Sequence, residues 1–365
     1  MENVGVFFGG QSVESEISII TGVTAVNALK ASKYTPIPIF VDRQGVFYTG
    51  EDLFDISNYK NLNFDRLEKV TFIAGSKWIY LIKGKKFKPL AVLSAVVNCI
   101  HGQPGEDGAI SGLMELCDLP CASPNMVASS VCMDKVATKT FLKGGGIKAL
   151  PYVCVSTPEE YLHNEKFGYP IIVKPSKLGS SIGISKAENP KQAHDGINLA
   201  LRYGDQALIE PFIKQFIEIN CAVYMGVDGK IVVSECEQPV GKAELLTFED
   251  KYKSGKRVFP ADIPKSLSEK VKRITKKVYS LLNTNGVIRI DYMIIDGEVY
   301  LNEINTVPGS LAYYLFAKTL KEFSVMLTEL IQVAIKNSAK EKTFVKEFKS
   351  EILKGGAKGG KMLVK

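Results

Sequence analysis

The sequence predicts an α/β (α+β) protein of more than one domain, and three observations lead there. Val4-Gly5-Val6-Phe7-Phe8 is a short apolar run that ends in Gly9-Gly10 and passes through Ser12 into a helical pattern from Glu14 to Lys30. That is the strand, glycine turn and helix start of an α/β unit. β-like runs and helical segments alternate after it. In the last third, two strand-like runs flank Asp296-Gly297, a hairpin signal.

The elements follow in chain order. Thr35–Val41 and Ala91–Ile100 read as strands and Gly112–Cys117 as helix, so residues 1–124 are expected to form an open, mostly parallel sheet with helices. The texture changes near Pro124. A single helix is expected over Met133–Lys143, running into Gly144-Gly145-Gly146, followed by strands Tyr152–Val155, Pro170–Val173 and Gln206–Ile209. This second segment is bounded at 125–214. The third, 215–338, has strands Ile219–Met225, Lys230–Cys236, Val287–Ile295 and Glu298–Ile304, with helices Lys265–Leu282 and Leu320–Lys336. Gly241–Pro260 within it is polar and weakly periodic, and loops of that length are usually mobile or functional. Residues 339–365 form a basic Gly/Lys-rich tail.

Composition narrows the classes. A chain of 365 residues with 45% hydrophobic and 23% charged residues is an ordinary globular protein able to bury full cores. No apolar run approaches the ~20 residues that cross a bilayer, and the N-terminus lacks a basic-then-apolar leader pattern. A cytoplasmic protein is expected. The seven cysteines are odd in number and contain no CxxC pair, which predicts reduced thiols. Three histidines without metal-ligand spacing argue against a zinc site. The net charge of +7 is concentrated after residue 335, where nine lysines face three glutamates. The basicity is therefore a tail and not a groove, and nucleic acid is not the expected partner. Phe344, Phe348 and Ile352 recur every four residues there, as on one face of a terminal helix.

Two segments carry chemistry. Val173-Lys174-Pro175-Ser176 leads into Lys177-Leu178-Gly179-Ser180-Ser181-Ile182-Gly183. A lysine at a strand end followed by a glycine- and serine-rich loop suits a polyphosphate, since free N–H groups and hydroxyls wrap it while the lysine neutralises it. The same loop is also a plain surface turn in many proteins. In the second segment, strand alternation places Arg289 and Asp291 on one face, and Glu303 and Asn305 on one face of the partner strand. The turn at Asp296-Gly297 brings them together. Two carboxylates and a carboxamide then converge as hard oxygen ligands for Mg²⁺, with Arg289 beside them for a phosphoryl oxygen.

These residues resemble the D-alanine:D-alanine ligase family of the ATP-grasp superfamily in five motifs. They are Gly9-Gly10-Gln11-Ser12-Val13-Glu14-Ser15-Glu16-Ile17-Ser18, His101-Gly102-Gln103-Pro104-Gly105-Glu106-Asp107-Gly108, Met133-Asp134-Lys135, Lys174 through Gly183, and Arg289-Ile290-Asp291 with Glu303-Ile304-Asn305-Thr306-Val307-Pro308-Gly309. The resemblance covers about residues 4 to 335. It implies a three-domain ATP-grasp fold and joining of two D-alanines through an acyl phosphate, for peptidoglycan precursors.

The resemblance also implies roles. Lys135 and Lys174 match ATP-phosphate lysines, and Ser181 lies in the same phosphate loop. Glu210 matches a glutamate facing the adenine amine, Phe212 a backbone contact to the ring, and Glu218 a ribose ligand. Asp291, Glu303 and Asn305 match ligands of two Mg²⁺ ions, for which Mn²⁺ can substitute. Arg289, Ser180 and Lys251 match groups holding the transferred phosphate. Glu14 matches the carboxylate orienting the first substrate's ammonium, and His101 a contact to its carboxylate. Tyr252 matches the tyrosine of a closing loop that links to Ser180 and Glu14, and a tyrosine there favours amide over ester products. Family members are commonly homodimers.

One departure stands out. After Asn-Thr-x-Pro-Gly the family usually places a Ser-Leu pair whose hydroxyl and N–H bind the second D-alanine's carboxylate. Here Gly309 is followed by Ser310-Leu311-Ala312-Tyr313-Tyr314-Leu315, so Tyr314 and Leu315 occupy that position. A phenol is bulkier and reshapes the acceptor subsite, unless Tyr313 and Tyr314 simply pack at a helix start. The competing readings are a related amino-acid ligase with another acceptor and a catalytically silent ATP-binding protein.

Overall fold

The computed structural model describes residues 2–163, 166–179, 181–240 and 256–348. The first strand, β1 (Glu2–Gly9), lies between two parallel neighbours, β2 (Tyr34–Val41) and the second half of β6 (Lys86–Asn98). The expected parallel core is present, but the sheet is not open. Three further strands, β3 (Phe47–Thr49), β4 (Glu68–Phe72) and β5 (Trp78–Lys83), continue from β2 in antiparallel steps and close a six-stranded ring onto β6. Most of its pairings are therefore antiparallel. Closure depends on the 13-residue length of β6. Its first part pairs β5, from Lys83 opposite Lys86 to Trp78 opposite Val92, while the rest pairs β1, from Asn3 opposite Leu93 to Phe7 opposite Asn98. At about 3.3 Å per residue, one strand serves two neighbours in succession. Sequence periodicity did not mark β3 to β5, which are short and partly exposed.

Helix α1 (Ser15–Leu29) packs on β1. The turn between them needs glycine: Gly9 and Gly10 have φ of 94° and 96°, and a Cβ on Gly9 would stand 2.3 Å from Val41 O. That conformation brings Glu14 to the head of α1. Helix α2 (Ala109–Leu116) covers the ring further along.

The single helix expected over Met133–Lys143 is two, α3 (Met126–Met133) and α4 (Lys135–Gly144). Asp134 breaks the run because it is extended and caps α4, accepting from Val136 N at 2.8 Å and Ala137 N at 3.1 Å. An N-cap aspartate outweighs the helical pattern of its neighbours.

Two antiparallel four-stranded sheets follow. The first has the order β7 (Val153–Val155), β10 (Ala207–Pro211), β8 (Ile171–Pro175), β9 (Ser185–Ala187), with α5 (Pro158–Leu162) and α6 (Pro190–Leu201) behind it. The second has the order β12 (Ile231–Val233), β11 (Ile217–Met225), β15 (Val287–Ile295), β16 (Glu298–Asn305), backed by α7 (Lys265–Leu282). A short ribbon pairs β13 (Gln238–Pro239) with β14 (Arg257–Val258).

The last helix, α8 (Leu320–Glu341), returns to the start of the chain. Phe323, Leu327, Leu330 and Ile331 share one core with Val26 and Leu29 of α1. It ends at Glu341, and Phe344 and Phe348 lie beyond it, exposed. The expected helical face through Phe344 and Phe348 is therefore absent from the described residues. Among the described residues nothing covers those rings, and helix propensity alone sustains a short terminal turn poorly. Ile352 and the remaining tail lie outside the described residues.

Candidate functional site

A cleft of about 310 Å³ runs between the two four-stranded sheets. Lys135, Lys174, Ser181, Glu210, Phe212, Glu218 and Glu303 all line it. Each of these was singled out from the sequence, and they come from five different elements and two loops. Leu150, Ile172, Phe216 and Met293 add an apolar wall, the mixture of apolar lining and few polar groups typical of small-ligand sites.

Glu210 is the most constrained of them. It is buried near the end of β10, with Lys174 Nζ of the adjacent β8 at 2.5 Å from Oε2 and Lys139 Nζ of α4 at 2.5 Å from Oε1. Burial alone would raise the Glu210 carboxyl, yet the two ammonium groups hold it below its ordinary value. Burial also pushes Lys139 down, with Glu210 opposing it. Lys139 and Lys174 thus each close on one oxygen of the carboxylate. A carboxylate at the edge of a cleft with an apolar wall keeps further lone pairs and fits the N–H of a bound ligand. Sequence reading missed Lys139, although Lys135 and Lys139 stand four apart on one helix and hence on one face.

At the same cleft, β15 and β16 carry the oxygen ladder. Arg289 lies opposite Asn305 and Asp291 opposite Glu303, the convergence expected from the hairpin, in a register shifted by one residue from a count out from the turn. Arg289 grips Asp291 with two bonds, Nε to Oδ1 at 2.8 Å and Nη2 to Oδ2 at 2.9 Å, and Asn305 Nδ2 donates to Asp291 Oδ2 at 3.1 Å. Glu303 reaches toward Lys135 Nζ at 3.7 Å. Burial pushes Lys135 down, against the pull of Glu303. A β-bulge follows Asp291, leaving Asn302 without a cross-strand partner. The extra residue turns Asn302 into the cleft beside Glu303, where it accepts from Lys174 Nζ at 3.4 Å. Strict alternation would have sent Asn302 to the other face. Two carboxylates and carboxamides converging here are the hard oxygen donors that Mg²⁺ prefers, and four cationic side chains nearby suit a polyphosphate. Among the described residues, no three His, Cys, Asp or Glu side chains cluster as a metal site, so such an ion would take its remaining ligands from the carboxamides, phosphate and water.

The residues expected at the amino-acid substrates come from the ring and from the segment after β16. Glu14 is buried, and a Cβ on Gly179 would stand 3.3 Å from its Oε1, which places it against the glycine-serine loop. Glu106 bridges two motifs: Oε2 accepts from Gly102 N at 2.8 Å and Oε1 from Val307 N at 3.1 Å. Burial and then the Glu14 charge push its carboxyl up to about 8, while those two N–H groups oppose the shift. The sequence reading quoted Glu106 within a motif without assigning it a site role.

His101 is buried, with Nε2 3.0 Å from Thr21 Oγ1, which in turn accepts from Ser310 N at 3.0 Å. Burial first, and Arg289 second, push the imidazole down to about 3. It is therefore neutral at neutral pH and acts as a hydrogen-bonding group. A consequence follows for stability. The unfolded imidazole takes up a proton near 6.5 and the folded one only near 3, so between these values the unfolded state holds more protons. Stability is lost as pH falls through that window, with a slope of up to about 1.4 kcal/mol per pH unit. Urea unfolding across the window should give a shallower pH slope for His101→Asn than for the parent chain; equal slopes would exclude His101 as the source.

Gly309–Leu315 is a tight turn and not the start of an α-helix. Ser310, Leu311 and Ala312 have φ of 51°, 51° and 50°, a left-handed run that costs roughly 1–2 kcal/mol per residue. Tyr313 stacks on Phe323 at 4.4 Å and belongs to the core. Tyr314 instead turns toward Arg289 and lies under Arg257, whose guanidinium stands 4.6 Å from its ring. Burial raises the phenol, with Arg289 opposing. Arg257 is itself held by Glu237 at 2.9 Å, and both went unnoticed in the sequence because their partners are remote. Leu315 is buried in the same turn. Ser180, Lys251 and Tyr252 lie outside the described residues.

Comparison with known proteins points the same way. Residues 3–124 match the family model described as D-ala D-ala ligase N-terminus, and residues 141–336 match D-ala D-ala ligase C-terminus. A D-alanine–D-alanine ligase of Thermosipho melanesiensis is 37% identical over 348 residues, covering 92% of this chain and 94% of that protein. One from Campylobacter concisus is 37% identical, covering 86% and 88%. Among solved structures, the D-alanine–D-alanine ligase from Helicobacter pylori superposes with a TM-score of 0.77 at 32% identity, covering 91% of this chain and 98% of that one. The enzyme from Coxiella burnetii gives 0.79 at 26% identity, covering 93% and 96%.

Proposed function

The chain belongs to the D-alanine–D-alanine ligase family, and from that premise we propose how its residues divide the ATP-driven joining of two D-alanines. The activity is ATP plus two D-alanines giving ADP, phosphate and D-alanyl-D-alanine, a supply of peptidoglycan precursor. The observation that carries the division of roles is the single cleft in which Lys135, Lys174, Glu210, Phe212, Glu218 and Glu303 converge.

The nucleotide base lies along the apolar wall, with its amine facing Glu210 and its ribose facing Glu218. Lys135, Lys174 and the loop around Ser181 hold the phosphates. Asp291, Glu303 and Asn305 hold two Mg²⁺ ions, which neutralise phosphate charge when bound. One D-alanine carboxylate attacks the terminal phosphate to give an acyl phosphate, and the amine of the second D-alanine displaces phosphate from it. Such chemistry is mostly positioning and charge neutralisation. Arg289, fixed in orientation by its two bonds to Asp291, presents its remaining donors to the transferred group. Glu14 orients the ammonium of the first D-alanine, and neutral His101 donates to its carboxylate. Tyr314, Leu315 and Gly309 wall the acceptor subsite. Ser180, Lys251 and Tyr252 complete the phosphate clamp and the closing loop in this reading, which keeps water from the acyl phosphate.

The test is release of ADP and phosphate with D-alanine as sole amino acid, and the product identified by mass. D-lactate and other D- and L-amino acids serve as competitors for the acceptor position. Glu303→Gln keeps the shape of the side chain and removes its charge, so turnover should fall by about 10²-fold or more with a raised Mg²⁺ requirement. Unchanged turnover in that variant would remove Glu303 from the site. The same reading takes the protein as a cytoplasmic homodimer, which light scattering and cell fractionation examine. Among the described residues no helix is long and apolar enough to cross a membrane.

A further inference from the structure

Cys221 of β11 and Cys236 face each other across an antiparallel pair on the side of the sheet turned away from the cleft. The neighbouring pair sets their register. Asn220 N donates to Glu237 O at 2.8 Å and Glu237 N to Asn220 O at 2.9 Å, so Asn220 and Glu237 are a hydrogen-bonded pair. Beyond it Ser234 N donates to Ala222 O at 2.9 Å, so the register slips by one and Cys221 stands opposite both Glu235 and Cys236 across a bulge. Neighbouring strands lie about 4.8 Å apart, and both side chains enter one buried cluster with α7, a spacing within the span that a disulfide bridges. Both sulfurs are buried against α7, with Ser268 Oγ 3.6 Å from Cys236 Sγ and Ser234 Oγ 3.8 Å from Cys221 Sγ. A second cavity of about 300 Å³, sharing no lining residue with the nucleotide cleft, reaches Cys236 between Ser268 and Lys272.

We propose that Cys221 and Cys236 form a peroxide-responsive dithiol, in which Cys236 is oxidised first and Cys221 then closes a reversible disulfide between the two strands. The cavity admits the peroxide to Cys236. The Cys236 sulfur attacks one peroxide oxygen, the O–O bond breaks, and Cys236 becomes a sulfenic acid as water leaves. The Cys221 sulfur then attacks the sulfenic sulfur, the S–S bond forms, and the sulfenic oxygen departs as a second water with the Cys221 proton. The order of events follows the surroundings. The proximity of the two sulfurs lowers Cys236 and raises Cys221, and Ser268 and Lys272 further favour the Cys236 thiolate. The bond would tie together the strands that carry Asn220, opposite Asp291, and Glu237, which holds Arg257.

The test uses the whole chain treated with hydrogen peroxide, followed by alkylation of remaining thiols and peptide mass analysis. The expected product is a Cys221–Cys236 cross-link, two hydrogens lighter than the dithiol and reversed by dithiothreitol. In Cys221→Ser, dimedone should trap Cys236 as its sulfenic acid; in Cys236→Ser, Cys221 should stay unmodified. Cys121 and Cys154 are the more exposed thiols, so accessibility alone predicts that they oxidise first. That outcome, with Cys221 and Cys236 still open to alkylation, overturns the proposal, and the unmutated chain decides it even if a variant misfolds.

Discussion

Arg289→Ala is expected to lose about 10³-fold or more in ADP release with D-alanine, the scale on which an arginine contributes to phosphoryl transfer. The loss has a geometric origin. The guanidinium is clamped by two bonds to Asp291 on the same face of β15, so its remaining N–H donors are held in a fixed direction before any ligand arrives. Pre-orientation of this kind stabilises developing charge without reorganisation in the transition state. Arg289→Lys keeps a positive charge near Asp291 but cannot make the paired bonds, and it should recover only a small part of the rate. Circular dichroism and thermal unfolding check that both variants are folded. A folded Arg289→Ala chain with near-normal turnover would take Arg289 out of the reaction.

The largest effect on stability is expected from Glu210→Ala. Lys139 and Lys174 both lie 2.5 Å from its carboxylate, and all three side chains are buried. Removing the one anion leaves two buried ammonium groups without a counterion, a change that costs about 3–5 kcal/mol. The sign of the pH dependence is diagnostic. A buried lysine without its carboxylate releases its proton at a lower pH when folded than when unfolded, so the variant should regain stability as pH rises toward the lysine range. Urea unfolding at neutral and alkaline pH measures this. Lys139→Met, which leaves Glu210 paired with Lys174, should cost much less. Equal losses in the two variants would mean that packing, and not charge, holds this corner together.

Much of the site was legible because it is written in short-range rules. Period-two alternation put Arg289 with Asp291 and Glu303 with Asn305 on one face of each strand, and the Asp296-Gly297 turn brought the two faces together, while the bulge after Asp291 set the final register. The strand-lysine-glycine pattern marked Lys174 and Ser181, and both line the cleft. Where the reading failed, a competing short-range or long-range term won. Asp134 ended one helix and capped the next, overriding a continuous helical pattern. The turn over Ser310–Ala312 took left-handed geometry that no residue type there announces, held by Ser310 N on Thr21 Oγ1 at 3.0 Å.

The sequence by itself determined the chemical types at the site, their spacing along each strand and the turn that folds the hairpin, since each depends on neighbours a few residues away. Only the tertiary structure decided that β6 closes a ring, that a bulge turns Asn302 into the cleft, and that Lys139 joins Lys174 on Glu210. Those outcomes depend on strand length, register and burial shared between segments far apart in the chain, and burial is what converts an ordinary lysine or glutamate into half of a strong pair.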